Sequence, residues 1–213
     1  MIGTVARVAS LLLLILPTVL GASACTVDPD GSGPAARSTP EPTAAPTRAP
    51  ARPRSAPWRI RVTSVAGRLG ARDRPALRAR VGRTLSAYVR AAFLSGSYPR
   101  SDFTGSFSTS FTKGASRRAR ADLALLSNRP LGPTTRAVRA VRRTADLSVL
   151  APDRTPVGVT AAVSLVFVVD RGERIAQRVK VRGRLMLTPA ARGTWRIFGY
   201  DLSRSQTPEG RTS

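Results

Sequence analysis

Histidine is absent from the 213 residues, and cysteine occurs once, as Cys25. The commonest general base, the usual nucleophilic pairs and most zinc sites are thereby excluded. What the chain carries in quantity is positive charge: 35 Lys and Arg against 12 Asp and Glu, a formal net charge of +23. Lys113 and Lys180 are the only lysines. A GC-rich coding sequence would account for part of the preference for Arg over Lys, but not for the sign, because Asp and Glu codons are equally open to it. The sharpest arrangement is Arg178, Lys180, Arg182 and Arg184 at alternate positions, with Val179, Val181, Leu185 and Leu187 between and beyond them. In a strand this alternation sends the four cations to one face, about 6.7 Å apart and over roughly 20 Å. Such a row is tolerated where it is solvated, screened or met by an anion. Its two readings are a solvated outer sheet face and a surface for an anionic partner, with Arg117, Arg118 and Arg120 as a second basic cluster beside it. No cofactor or metal is expected.

The beginning of the chain has the three parts of an export signal: Arg7, an apolar stretch from Val8 to Leu20, and small residues ending in Ala22-Ser23-Ala24. The apolar stretch would rise only about 20 Å as a helix, short of the roughly 30 Å of a bilayer core. Cys25 follows directly, and the run Leu20-Gly21-Ala22-Ser23-Ala24-Cys25 resembles the lipidation site of a bacterial lipoprotein, with Ala22 where that pattern prefers an aliphatic such as Leu. The resemblance implies palmitate-type acylation of Cys25 and attachment to the outer face of the cell membrane. Acylation would also cap a thiol that has no intramolecular partner. Ordinary secretion stays open, since Ala22-Ser23-Ala24 fits a general signal peptidase as well.

From Thr26 to Pro57 the chain is Pro-, Ala-, Thr- and Ser-rich with almost nothing large and apolar, so it is expected to be a disordered tether. About 30 such residues reach up to about 100 Å when extended. Ser38, Thr39, Thr43 and Thr47 are open to modification there. The expected organisation is a signal peptide over 1–24, lipidated Cys25 and linker over 25–57, a domain over 58–204 and a disordered tail over 205–213. The domain's length of about 150 residues is enough to bury a core without disulfides.

Within the domain, Trp58, Ile60 and Val62 alternate with Arg59, Arg61 and Thr63 and predict a short strand. A helix follows, capped by Asp73, with Leu77, Val81, Leu85, Tyr88 and Ala92 on one face and Gly96 at its end. Phe103, Phe107 and Phe111 recur every fourth residue. A second helix is predicted from Ala115 to Leu126, with Arg118 and Asp122 placed as an i, i+4 pair. Beyond Pro133 the period becomes two. Strands are predicted at Arg136–Leu150, Val157–Val169, Arg174–Leu187 and Thr194–Ser203, joined by short turns into an antiparallel meander. The second of them is apolar on both faces and belongs in the centre. Arg136 to Arg143 also reads as helix.

Helices first and a curved sheet second predict an α+β domain: N-terminal helices packed on a curved antiparallel four-stranded sheet. The order of elements, the phenylalanine segment and the final strand Gly193-Thr194-Trp195-Arg196-Ile197-Phe198-Gly199-Tyr200-Asp201-Leu202 resemble the cone-like nuclear-transport-factor-2-like superfamily, which includes envelope lipoproteins of high-GC Gram-positive bacteria. The resemblance implies a pocket between helices and sheet, with Tyr88, Phe103, Phe107, Phe111, Trp195 and Tyr200 as candidates to line it. Fold alone fixes no function. The expected function is a non-catalytic, lipid-anchored extracytoplasmic accessory or binding domain that contacts an anionic envelope partner or a small apolar ligand. That partner would be a phosphate-bearing polymer, lipid headgroups or an acidic protein; export makes nucleic acid an unexpected target. The alternative is an isomerase- or cyclase-like enzyme. The resemblance then implies an acidic base and a Tyr, drawn from Asp102, Asp122, Asp146, Asp201, Tyr88 and Tyr200. An Asp and a Tyr converging in an apolar cavity would favour it. The cationic sheet face favours a monomer over a homodimer.

Overall fold

The computed structural model describes residues 54–94, 97–172 and 175–210. The expected signal segment, Cys25, the expected linker through Pro53, Gly96 and Arg174 lie outside the described residues.

The domain is α+β, and five strands rather than four make its sheet. The strands are β1 (Arg59–Gly67), β2 (Ala137–Ala151), β3 (Gly158–Asp170), β4 (Ile175–Pro189) and β5 (Trp195–Gly210), hydrogen-bonded in sequence order. β2 to β5 are the expected antiparallel meander with β3 at its centre. The correction concerns β1, which pairs parallel to β2 and makes the sheet mixed. A parallel neighbour requires a long crossover, and the helical segment between β1 and β2 supplies it. The ambiguous stretch from Arg136 resolves as the start of β2. β5 also continues beyond Ser203 through the expected tail to Gly210, paired with β4 back to Ile175. The linker boundary moves outward too, because the Ala56 N–H donates to Ala140 O at 2.8 Å and the Ala140 N–H to Ser55 Oγ at 3.1 Å.

Helix α1 (Asp73–Val89) buries Leu77, Val81, Leu85 and Tyr88 and runs on into a wider turn over Arg90–Leu94. Its N-cap is Arg72, without a side-chain cap; Asp73 sits inside the first turn, where its charge suits the helix dipole instead. Two short helices, α2 (Lys113–Ala121) and α3 (Leu123–Leu126), replace the single expected one, with the break at Asp122. Thr112 caps α2 by accepting from the Ala115 N–H. The expected Arg118–Asp122 pair does not form. Arg118 donates to Phe198 O at 3.2 Å, and Asp122 accepts the Tyr200 hydroxyl at 2.6 Å.

The core lies between the helices and one sheet face. Phe93 stacks on Phe167 at 4.6 Å, and Tyr88 meets Phe111 edge-on at 5.3 Å and Phe107 at 6.3 Å. These rings are essentially fully buried. Burying each is worth roughly 1.5–3 kcal/mol. In β4, Gly183 has φ +136°, and a Cβ there would lie 2.1 Å from Asp201 O. Only glycine permits the strand to bend there at that separation from β5.

Candidate anionic-partner interface

Strand register decides which cations share a surface. On β4, Val179, Val181, Leu185 and Leu187 are buried against the core, so Arg178, Lys180, Arg182 and Arg184 face the other way. Arg182 and Arg184 are exposed; Arg178 and Lys180 are half-buried. Following the pairing outward, Arg178 and Lys180 stand across β3 from Arg139 and Arg142 of β2. The rows through Arg182 and Arg184 run through β3 and β2 to Arg59 and Arg61 of β1. One uncovered sheet face thus collects eight cations from three strands.

The same face also holds carboxylates, Asp170 at the end of β3 among them. Asp146 accepts from Arg61 Nε at 3.2 Å, with both side chains largely solvated, and Asp201 of β5 stands opposite Arg184. Between the basic rows lie small or apolar residues: Val166 and Val168, Ser164, Ala162, Ser203 and Ser205. Val166 is only 4% exposed although it is on this outer face. It is flanked by Arg142 and Lys180, whose aliphatic stems can lie across an apolar neighbour while the charged heads reach solvent. Strands about 4.8 Å apart and rows about 6.7 Å apart keep each charge within about one Debye length of its nearest neighbours at 0.1 M salt. An array of this kind can meet a broad polyanionic surface.

Two bulges shape the face. Arg139 and Arg142 are three residues apart and in a straight strand would point to opposite faces. The irregularity at Val141 inserts one extra residue and returns both to the outer side. A second irregularity, at Phe198 between the pairs Met186–Gly199 and Leu187–Ile197, turns the end of β5 and leaves Phe198 45% exposed. Sequence alternation alone finds Arg59 and Arg61, since β1 was recognisable, but the parallel pairing that brings them to this face has no local signal.

The second basic cluster is not part of this surface. Helix α2 buries Ala115, Ser116 and Ala119 in the core, on the other side of the sheet, and Arg117, Arg118 and Arg120 are exposed on that helical layer.

The aromatic pocket candidates are distributed differently from expectation. Tyr88, Phe103, Phe107 and Phe111 belong to the core cluster and are at most 1% exposed. Tyr88 Oη donates to Leu126 O at 2.9 Å, and burial holds its hydroxyl pKa far above the usual value. Trp195 lines a cleft of about 320 Å³ together with Asp73, Leu77, Arg80, Arg154 and Thr194. A longer groove of about 560 Å³ runs between β1 and α1, lined by Trp58, Arg59, Ile60, Arg78, Gly82 and Arg83 among others.

Of the acid and tyrosine candidates, Tyr200 and Asp122 converge, but on the surface. Tyr200 is half-buried and Asp122 exposed. Partial burial, followed by the Asp122 hydrogen bond and charge, pushes the Tyr200 hydroxyl up to about 12. Asp102 closes a turn by accepting from both the Thr104 hydroxyl and its N–H, which lowers its carboxyl pKa. These are structural roles. Among the described residues, no group of three or more Asp, Glu, Cys or His is placed to hold a metal.

Two arginines escaped the sequence reading altogether. Arg204 points inward from β5, donates to the carbonyls of Ala124 (3.2 Å) and Ser127 and faces Asn128 Oδ1 at 3.4 Å; desolvation lowers its pKa to about 10. Arg143 donates to Ala56 O and lies 5.8 Å over the Trp58 ring. Both fasten loops to the sheet, and nothing in their sequence position separates them from the outer arginines. No protein-family model, curated protein or solved structure matches the chain.

Proposed function

We propose that this chain is an exported, lipid-anchored, non-catalytic binding domain of a bacterial cell envelope. In this reading Cys25 carries the acyl anchor, the segment to Pro57 is the tether, and the domain is a cone-like member of the nuclear-transport-factor-2-like superfamily. The outer sheet face docks on a phosphate-bearing anionic surface, the chemistry shared by phospholipid headgroups and phosphate-bearing wall polymers. One observation carries the proposal: strand register gathers eight cations on the sheet face that the helices leave uncovered. A flat array with no enclosing walls suits an extended polyanion better than a small ligand. Juxtamembrane basic residues of this kind contribute about 1 kcal/mol each near an anionic leaflet.

The test is sedimentation of the full-length chain with vesicles and with wall fragments, comparing Arg178→Ser, Lys180→Ser, Arg182→Ser and Arg184→Ser combined against the unaltered chain. The salt-sensitive part of binding should fall steeply. Loss on vesicles alone identifies headgroups as the target, loss on wall fragments alone identifies the polymer, and no loss on either removes the proposal.

A further inference from the structure

The sheet has two edges, and they are treated differently. Along β5, the segment Ser110–Thr112 lies against the strand: the Thr112 N–H donates to Ile197 O at 2.9 Å and the Ile197 N–H to Ser110 O at 2.8 Å. Farther along, Arg204 ties β5 to the end of α3. The other edge is β1, which among the described residues pairs with β2 alone. A strand turns half of its N–H and C=O groups to each side, so β1 presents a row of these groups outward.

The groove of about 560 Å³ lies at the start of this edge, lined on the strand side by Trp58, Arg59 and Ile60. Its lining straddles the sheet. Arg59 belongs to the outer face, whereas Ile60 points inward to α1, where a Cβ on Gly82 would meet Ile60 Cδ1 at 2.9 Å. The α1 wall offers Pro75, Ala79 and Gly82 as a small, apolar surface, with Arg78 and Arg83 exposed on its rim. No carboxylate lines the groove.

We infer that the β1 edge is a docking site for an extended acidic polypeptide segment that adds to the sheet as a sixth strand. An added strand alternates its side chains as β1 does. Those on the inner side meet Ile60, Ala79 and Gly82 and are small or apolar. Those on the outer side stand beside Arg59 and Arg61 and are acidic, and Arg78 and Arg83 add to the positive field of the groove from its helix-side rim. The ligand chemistry is therefore alternating apolar and acidic residues in extended form, a strand-addition mode in which main-chain hydrogen bonds supply affinity and side chains supply choice. Two β1 edges of this chain would set Arg59 and Arg61 against their own copies, so charge disfavours a second protomer as the occupant. This site shares Arg59 and Arg61 with the outer basic face but uses none of Arg178, Lys180, Arg182 and Arg184.

The test uses the full-length chain and a blocked octapeptide of alternating glutamate and valine. Saturable binding is followed by the emission of Trp58 in a Trp195→Phe background, with hydrogen exchange as a second readout. The expected result is binding with new amide protection confined to residues 59–66. Combined Arg59→Gln, Arg78→Gln and Arg83→Gln should weaken it about tenfold, through one exposed charge pair and two neighbouring charges. The Arg178, Lys180, Arg182 and Arg184 serine variant should bind the peptide within about twofold of the unaltered chain, since exposed charges beyond a Debye length are largely screened. The decisive control is the same peptide N-methylated at every second residue, which keeps its charge but cannot join a sheet; it should not bind. Equal binding of the methylated peptide would overturn the inference in favour of simple charge attraction. Absence of saturable binding would overturn it as well, as would β1 protection that rises with protein concentration in the absence of peptide.

Discussion

Replacing Arg178, Lys180, Arg182 and Arg184 together with Ser separates the geometry of the charge from its amount. The outer face holds eight cations, and the variant removes four of them. At about 1 kcal/mol per basic residue close to an anionic leaflet, four such losses amount to about 3–4 kcal/mol, or roughly two to three orders of magnitude in partitioning at 0.1 M salt. The comparison variant removes the same number of charges from the helical layer: Arg72, Arg74, Arg117 and Arg120, all exposed, to Ser. It should lose less than about tenfold, because those groups lie more than a Debye length from a surface docked on the sheet. Cosedimentation of both chains with anionic and zwitterionic vesicles, repeated at 0.1 M and 0.5 M salt, isolates the salt-sensitive increment from any contribution of the apolar N-terminal segment. Unchanged circular dichroism for both variants guards against loss of fold. Equal losses for the two variants would refute the reasoning, since binding would then follow total charge and not the strand register.

Three further outcomes follow from the interior. Phe167→Ala should lower the unfolding free energy by about 3–5 kcal/mol in denaturant melts, because it removes the ring stacked on Phe93 and leaves a cavity in a fully buried site. Gly183→Ala should cost about 3 kcal/mol or more despite the small change in size, since a Cβ would strike the β5 backbone at Asp201; an unchanged melting temperature would contradict the strand geometry. Absorbance at 295 nm should show little tyrosinate in the native chain at pH 10.5, because Tyr88, Tyr98 and Tyr200 are all shifted upward, mainly by desolvation. Native pKa values above the unfolded ones mean the folded chain binds more protons in this range. The stability these groups contribute is therefore complete below about pH 10 and is lost as the pH rises through about 12, the Tyr200 value.

The elements were legible where local pattern and long-range contact agree. β3 reads as central from its apolar faces alone, and the alternation in β4 assigns its four cations to one face without knowledge of any neighbour. The misreadings each have a long-range cause. Asp122 was paired with Arg118 by helical spacing, but a tyrosine on β5 takes its carboxylate and the helix breaks there. The tail was read as disordered because Ser205, Gln206, Thr207 and Pro208 are polar, yet an edge strand in solvent needs no apolar face once β4 supplies its hydrogen bonds. The larger part of the cationic surface was hidden for the same reason. Arg142 reaches it through the Val141 bulge, and Arg59 and Arg61 reach it through a parallel pairing made after the whole helical crossover.

The central claim is that the sheet face, and not the helical layer, meets an anionic surface. It is read most directly by placing an environment-sensitive fluorophore on a single cysteine in a Cys25→Ser chain: at Ser148 or Ser203 on the outer face, or at Ala121 on α2. The account predicts a blue shift on anionic vesicles for Ser148→Cys and Ser203→Cys that salt reverses, and none for Ala121→Cys. A shift at the helical position, or equal shifts at all three, would contradict it.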